Sequence, residues 1–161
     1  MGKAGRETVG KTADETIKLL NKALADEWLA YYQYWVGAIV AVGTLRPDVQ
    51  KELSEHAEEE KKHAGMLADR IMILGGTPII EFSDLLKEAN CGYSAPKNPS
   101  TKALLAQNVQ GERCAIGVYT KILKFLKTTE DYVSFNMVRK ILEDEMKHEE
   151  DLENLQEDIK G

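Results

Sequence analysis

The chain has 161 residues and a mass of 18.0 kDa, which suits one domain with a sizeable core. It is 43% hydrophobic and 30% charged, the balance of a globular rather than a disordered protein. A net charge of −6 and a pI near 5.2 argue against a nucleic-acid platform, so DNA is not an expected partner; Lys3, Arg6 and Lys11 are too few and are offset by Glu7.

Residues 1–11 hold three glycines and several charges without an apolar period, and are expected to form a mobile tail. From Thr12 apolar residues fall at helical spacing through Ile17, Leu20, Leu24, Trp28, Tyr31, Trp35, Ile39 and Val42, until Gly43 stops them. The apolar run 35–42 is too short to span a bilayer, and no basic-then-apolar leader opens the chain, so a cytoplasmic location without membrane contact is expected. Residues 43–47 make a turn, and Pro47 suits the first turn of a second helix that runs to Leu74 and ends at Gly75-Gly76. A third helix is predicted over about 99–127 and a fourth over about 129–159.

Link lengths decide the topology. Short links join helices one to two and three to four, giving two antiparallel hairpins. The link 75–98 is long enough to travel the length of the bundle, so helices two and three are parallel. Within it, 82–89 reads as a short helix capped by Ser83 and closed by Asn90-Cys91-Gly92. The expected fold is all-α, a four-helix bundle over residues 12–161 with one long crossover carrying a short helix.

Two Glu-x-x-His pairs, Glu60/His63 and Glu145/His148, each follow a single glutamate, Glu27 and Glu112, by the same 33 positions. Residues i and i+3 project from one face of a helix a turn apart, so each pair can grip one metal ion while its carboxylate reaches toward a second. The chain has 18 glutamates, so one such pair would mean little, but a repeated set at one shared offset is hard to obtain by chance. One Glu from each of two helices and Glu-x-x-His from each of the other two is the di-iron carboxylate set. Four carboxylates and two neutral imidazoles carry −4, which two divalent ions cancel; without metal the carboxylates would repel and take up protons. Oxygen and imidazole donors suit two iron ions per subunit, or manganese, better than a closed zinc site.

Tyr34 and Tyr119 lie seven residues after Glu27 and Glu112. Either they are core tyrosines on an apolar stripe, or their phenols reach a ligand on a neighbouring helix and tune the metal. His56, a turn before Glu60, is expected to be a satisfied structural histidine rather than a third metal position. Cys91 and Cys114 are too few for a disulfide scaffold, and on the residues alone read as two buried thiols. An offset of two from Glu112 turns Cys114 away from the metals, toward the crossover.

On these motifs the chain resembles the ferritin-like proteins over essentially residues 12–160. The resemblance implies that Glu60 and Glu145 bridge two metals, that Glu27 and Glu112 are terminal ligands, and that His63 and His148 each cap one metal. Haem-binding bacterioferritins carry a methionine after the first bridging glutamate; here it is Lys61, so no haem is expected. The crossover helix, with no fifth helix before Gly161, resembles the Dps proteins, yet the site inside one bundle does not. The combination looks like the Dps-like proteins called thioferritins, which implies a redox-active pair at Cys91 and Cys114. It also implies a ferroxidase that oxidises Fe(II) with hydrogen peroxide or dioxygen, stores iron in a shell of 12 subunits and protects against oxidative stress. The alternatives are a rubrerythrin-like peroxidase without storage, which would need an external electron donor in place of the absent Cys-x-x-Cys pairs, and a DNA-coating protein of the Dps type.

Overall fold

A computed structural model describes residues 1–160, and at Arg6 the backbone only. Six α-helices follow one another: α1 (Lys3–Val9), α2 (Ala13–Val40), α3 (Arg46–Leu74), α4 (Phe82–Glu88), α5 (Thr101–Leu126) and α6 (Tyr132–Asp158). The four long ones form a four-helix bundle in which α2 packs chiefly on α3 and α5 on α6.

The helix ends follow the turn chemistry. Gly75 closes α3 with φ 94°, a left-handed value that costs glycine little, and its N–H bonds back to Ile71 and Met72. Gly76 is needed for a second reason: a Cβ there would stand 2.7 Å from Ile17. Ser100 caps α5 by accepting from Ala103 N–H, and Asp131 caps α6 by accepting from Ser134 N–H at 3.0 Å. Ser83 lies inside α4 rather than capping it; Glu81 precedes the helix and makes no side-chain cap bond, so this expectation is corrected.

The crossover returns to the end of the bundle where it is expected. Val42 N–H donates to Pro99 O at 2.8 Å and Thr101 N–H to Val42 O at 2.9 Å, tying the α2–α3 turn to the start of α5. Helices α3 and α5 therefore start at the same end and run parallel. Three polar side chains of α2 hold the crossover: Asn21 accepts from Ile79 N–H, Asp26 from Cys91 N–H, and Gln33 from Ser94 N–H, at 2.9, 2.7 and 3.0 Å. Leu85 of α4 adds apolar anchorage against Ala25 and Leu29.

The N-terminus departs from the expected tail. Residues Lys3–Val9 are helical, and Val9 is buried in the core beside Leu20 and Leu74. Val9 anchors the segment, with Met1 packed against the same core, and two apolar positions eight apart leave no period to read. No helix among the described residues is long and apolar enough to cross a membrane.

Two apolar cores occupy the bundle. One gathers Leu20, Leu24, Leu67, Ile71, Ile122 and Ile141; the other gathers Leu53, Leu104, Leu105, Val109 and Leu152. Between these sequence registers α2, α3, α5 and α6 bury charged residues instead.

A candidate dinuclear metal centre

Glu27 of α2, Glu60 and His63 of α3, Glu112 of α5, and Glu145 and His148 of α6 are all at most 3% exposed and converge on one point. They form two overlapping groups whose donor atoms lie within 4.8 Å of one another: Glu27, Glu60, His63 and Glu145 in one, Glu60, Glu112, Glu145 and His148 in the other. Glu60 and Glu145 belong to both. His63 Nδ1 lies 3.0 Å from Glu145, 3.1 Å from Glu60 and 3.4 Å from Glu27. His148 Nδ1 lies 3.3 Å from Glu60 and 3.9 Å from Glu112. A single ring nitrogen cannot satisfy three carboxylates with one proton, but three carboxylates and a nitrogen lone pair can surround a cation.

Unpaired atoms support the same reading. Glu27 Oε2, Glu60 Oε1, Glu112 Oε2, Glu145 Oε1 and His148 Nδ1 are buried without a hydrogen-bond partner. Buried polar atoms are rarely left so, and five at one point fit ligands of divalent ions.

The second oxygens and nitrogens are held from outside. Tyr34 Oη donates to Glu112 Oε1, and Tyr119 Oη donates to Glu27 Oε1, so each phenol reaches the lone glutamate of the other half. Each phenol thus contacts a glutamate of the donor groups on another helix, rather than only packing on an apolar stripe. Two residues escaped the sequence reading. His63 Nε2 meets Asp144 at 3.4 Å and His148 Nε2 meets Glu59 at 2.6 Å. Each acid directly precedes the Glu-x-x-His glutamate of the facing helix, a repeat that was visible in the sequence but lies among many surface acids. Such a partner holds the proton on Nε2 and leaves Nδ1 free to ligate.

The charges are strongly coupled. Burial, then the charge of Glu60, pushes Glu27 and Glu145 up to about 8 from an ordinary 4.5. Burial and the charges of Glu145 and Glu60 push Glu112 well above its usual range. Burial opposes charge on Glu60 too, yet His148 and His63 hold its carboxyl below the usual range. Burial likewise opposes charge on His148, but Glu60, Glu112 and Glu59 raise it to about 9.

A pH dependence follows. The raised groups contribute stability that is fully present below their unfolded values and is lost as pH rises through about 8 to 9. Glu60 and His56, both shifted down, lose their contributions only toward acid and do not oppose this above pH 7. Metal-free protein should therefore melt higher at pH 7 than at pH 9, by roughly 5 °C. An inert divalent ion should raise the melting temperature more at pH 8 than at pH 6, because binding displaces these protons. Scanning calorimetry on stripped and reloaded protein measures both; a flat profile would mean the four glutamates are not gathered in the core.

Cys91 and Cys114 form a disulfide with Cα atoms 5.8 Å apart, joining the crossover to α5. Cys114 does turn toward the crossover. The pair nevertheless lines the same cavity, of about 350 Å³, as Glu27, Glu60, Glu112 and Glu145, together with Gln33, Ser94 and Gln107. Cys114 is expected to face away from the metals; instead the crossover folds back over the site and its bridge to Cys91 borders the cavity of the glutamates. His56 also departs from expectation: it is 2% exposed, and although Nε2 lies 3.1 Å from Glu52 Oε1, neither ring nitrogen makes a hydrogen bond.

The ferritin-like domain model matches residues 17–161. The chain belongs to the ferritin-like family. Among ferritin-like proteins it is similar to the bacterioferritin-related protein of Bacteroides fragilis, described as a dodecameric thioferritin, at 42% identity, a TM-score of 0.94, and coverage of 98% of this chain and 95% of that one. The DNA protection during starvation protein of Pyrococcus furiosus is 34% identical over 154 residues, 92% of this chain and 80% of that one. A bacterioferritin of Rhodobacter capsulatus is 27% identical over 139 residues, 86% of this chain and 81% of that one. Dps from Thermosynechococcus elongatus shares the fold at a TM-score of 0.84 and 18% identity, covering 88% of this chain and 90% of that one.

Proposed function

We propose that the protein is a ferroxidase and iron-storage protein. It takes two Fe(II) ions per subunit as substrate, oxidises them with hydrogen peroxide or dioxygen, and holds the ferric product inside a shell of identical subunits. The observation that carries this reading is the pair of overlapping donor groups sharing Glu60 and Glu145, with their unpaired buried atoms. In it Glu60 and Glu145, which belong to both donor groups, would hold both ions, Glu27 and Glu112 would each hold one, and His63 and His148 would each offer Nδ1 to one. Tyr34, Tyr119, Asp144 and Glu59 hold these ligands in place, which limits reorganisation when the ions gain charge. The cavity bordered by Gln33, Ser94 and the disulfide is the approach for a small oxidant. One peroxide accepts two electrons, one from each Fe(II), so their paired consumption avoids single-electron release of hydroxyl radical. With dioxygen, which accepts four electrons and four protons on reduction to water, Cys91 and Cys114 as two thiols supply the two electrons beyond those of the two Fe(II), and two of the protons, on closing to the disulfide; solvent supplies the other two protons.

Storage rests on assembly. Ile80, Phe82 and Leu86 on and beside α4 are 81%, 80% and 60% exposed, and Trp28, Tyr32, Trp35 and Ile39 lie partly open along α2. Apolar surface of this extent supports burial against other subunits. The dodecameric state described for the Bacteroides fragilis relative supports a closed shell of twelve. Twelve −6 subunits would carry −72, a field that gathers Fe(II). Sedimentation should give about 216 kDa from twelve 18.0 kDa chains, and iron loading should far exceed two per subunit. A species near 430 kDa would replace twelve by twenty-four; a stable monomer or dimer would remove storage and favour the cycling peroxidase.

A further inference from the structure

His56 joins two clusters. Its ring stacks on His148 with centroids 4.1 Å apart and meets Tyr34 edge-on at 5.3 Å. It groups inward with Glu112 and His148, and outward with Glu52 and Asp151, in each case with donor atoms within 4.8 Å. Glu52 lies a turn before His56 on α3, and its Oε1 stands 3.1 Å from His56 Nε2 without making a hydrogen bond. Asp151 lies a turn after His148 on α6. Ligand-type residues thus descend both helices in parallel: Glu60, His56 and Glu52 on α3, and Glu145, His148 and Asp151 on α6.

We propose that Glu52, His56 and Asp151 form a third divalent-cation site, an outer step beside the dinuclear centre that hands ions to or from it through the shared imidazole. A nearly fully buried imidazole whose nitrogens make no hydrogen bond, with a carboxylate oxygen only 3.1 Å from Nε2, is costly, and a solvated acid pair alone would not explain it. An imidazole and two carboxylates suit first-row divalent ions, with water completing the shell. The side chains of Glu52 and Asp151 are 24% and 32% exposed, so the site opens to solvent and can exchange its ion. Lys147 stands 3.9 Å from Asp151 and Lys51 pairs with Glu55 at 3.6 Å, so neither lysine closes on Glu52 and Asp151 together. Naming iron as the natural ion rests on the ferroxidase reading; the site itself does not.

Co(II) alone is the probe, with anomalous diffraction at the cobalt edge and equilibrium dialysis. Wild type should bind three ions per subunit, with the third anomalous peak between Glu52, His56 and Asp151. The Glu52→Gln/Asp151→Asn double variant should bind two, losing that peak and keeping the dinuclear pair. The proposal is overturned if wild type shows no peak between these side chains, or if the double variant keeps it. Two ions in wild type would sink the third site and leave the ferroxidase reading standing. No bound ions would sink both.

Discussion

Replacing Glu60 or Glu145 by alanine is expected to slow rapid Fe(II) oxidation by more than about 100-fold, since even partners one layer beyond a metal ligand cost 10- to 100-fold. Each carboxylate belongs to both donor groups, so its loss uncouples two ions rather than weakening one. The two variants should part company in stability. Glu145 is raised to about 8 by burial and by the charges of Glu60 and Glu27, so its removal spares the protein a buried carboxyl, while His63, 3.0 Å from it, keeps Glu60 and Glu27 as neighbours; the metal-free protein should hold or gain stability. Glu60 stands 3.1 Å from His63 and 3.3 Å from His148, and its removal leaves both imidazoles without their shared anion. Glu60→Ala should therefore lose stability without metal. Stopped-flow oxidation and thermal melts on the same preparations read both effects, and near-normal initial rates in either variant would refute the assignment of that residue.

Arg70→Ala is expected to cost about 3–5 kcal/mol of stability, the range for breaking one side of a buried charge pair. Arg70 Nη2 donates to Asp131 at 2.6 Å and Nε donates to Ser134 Oγ at 2.7 Å, with all three side chains buried. Asp131 is also the cap of α6, so losing the guanidinium leaves a buried carboxylate and loosens the start of a helix that carries Glu145 and His148. Denaturant unfolding should show the loss, whereas Arg70→Met, which keeps volume but not charge, should lie close to alanine if the pair rather than packing is responsible. A change under about 1 kcal/mol would show that Asp131 finds another partner.

The six candidate ligands were legible because helical geometry forces Glu-x-x-His onto one face, and one shared offset repeats in both halves of the chain. The partners of those ligands were less so. Tyr34 and Tyr119 stood out by their matched offset, but nothing in a periodic pattern separates a phenol that bonds to a ligand residue from one packed in a core. Asp144 and Glu59 were adjacent to the motif yet indistinguishable from solvated acids, because their role depends on which helix faces them. Arg70 and Asp131, 61 residues apart, carried no local signal at all.

Sequence alone determined the four long helices and the parallel arrangement of α3 and α5, and it named the candidate donor set, since apolar period, glycine stops, link length and the i, i+3 spacing act locally. Tertiary structure decided what depends on distance between elements. It made Val9 a core residue, turned Ser83 from a cap into a helix interior position, and left His56 without a hydrogen bond between Glu112 and His148 on one side and Glu52 and Asp151 on the other. It also laid the crossover along Asn21, Asp26 and Gln33, which brings the Cys91–Cys114 bridge to the cavity that leads to the glutamates. Angular offsets along a helix say where a side chain leaves its own axis, but only packing says what another segment brings to meet it.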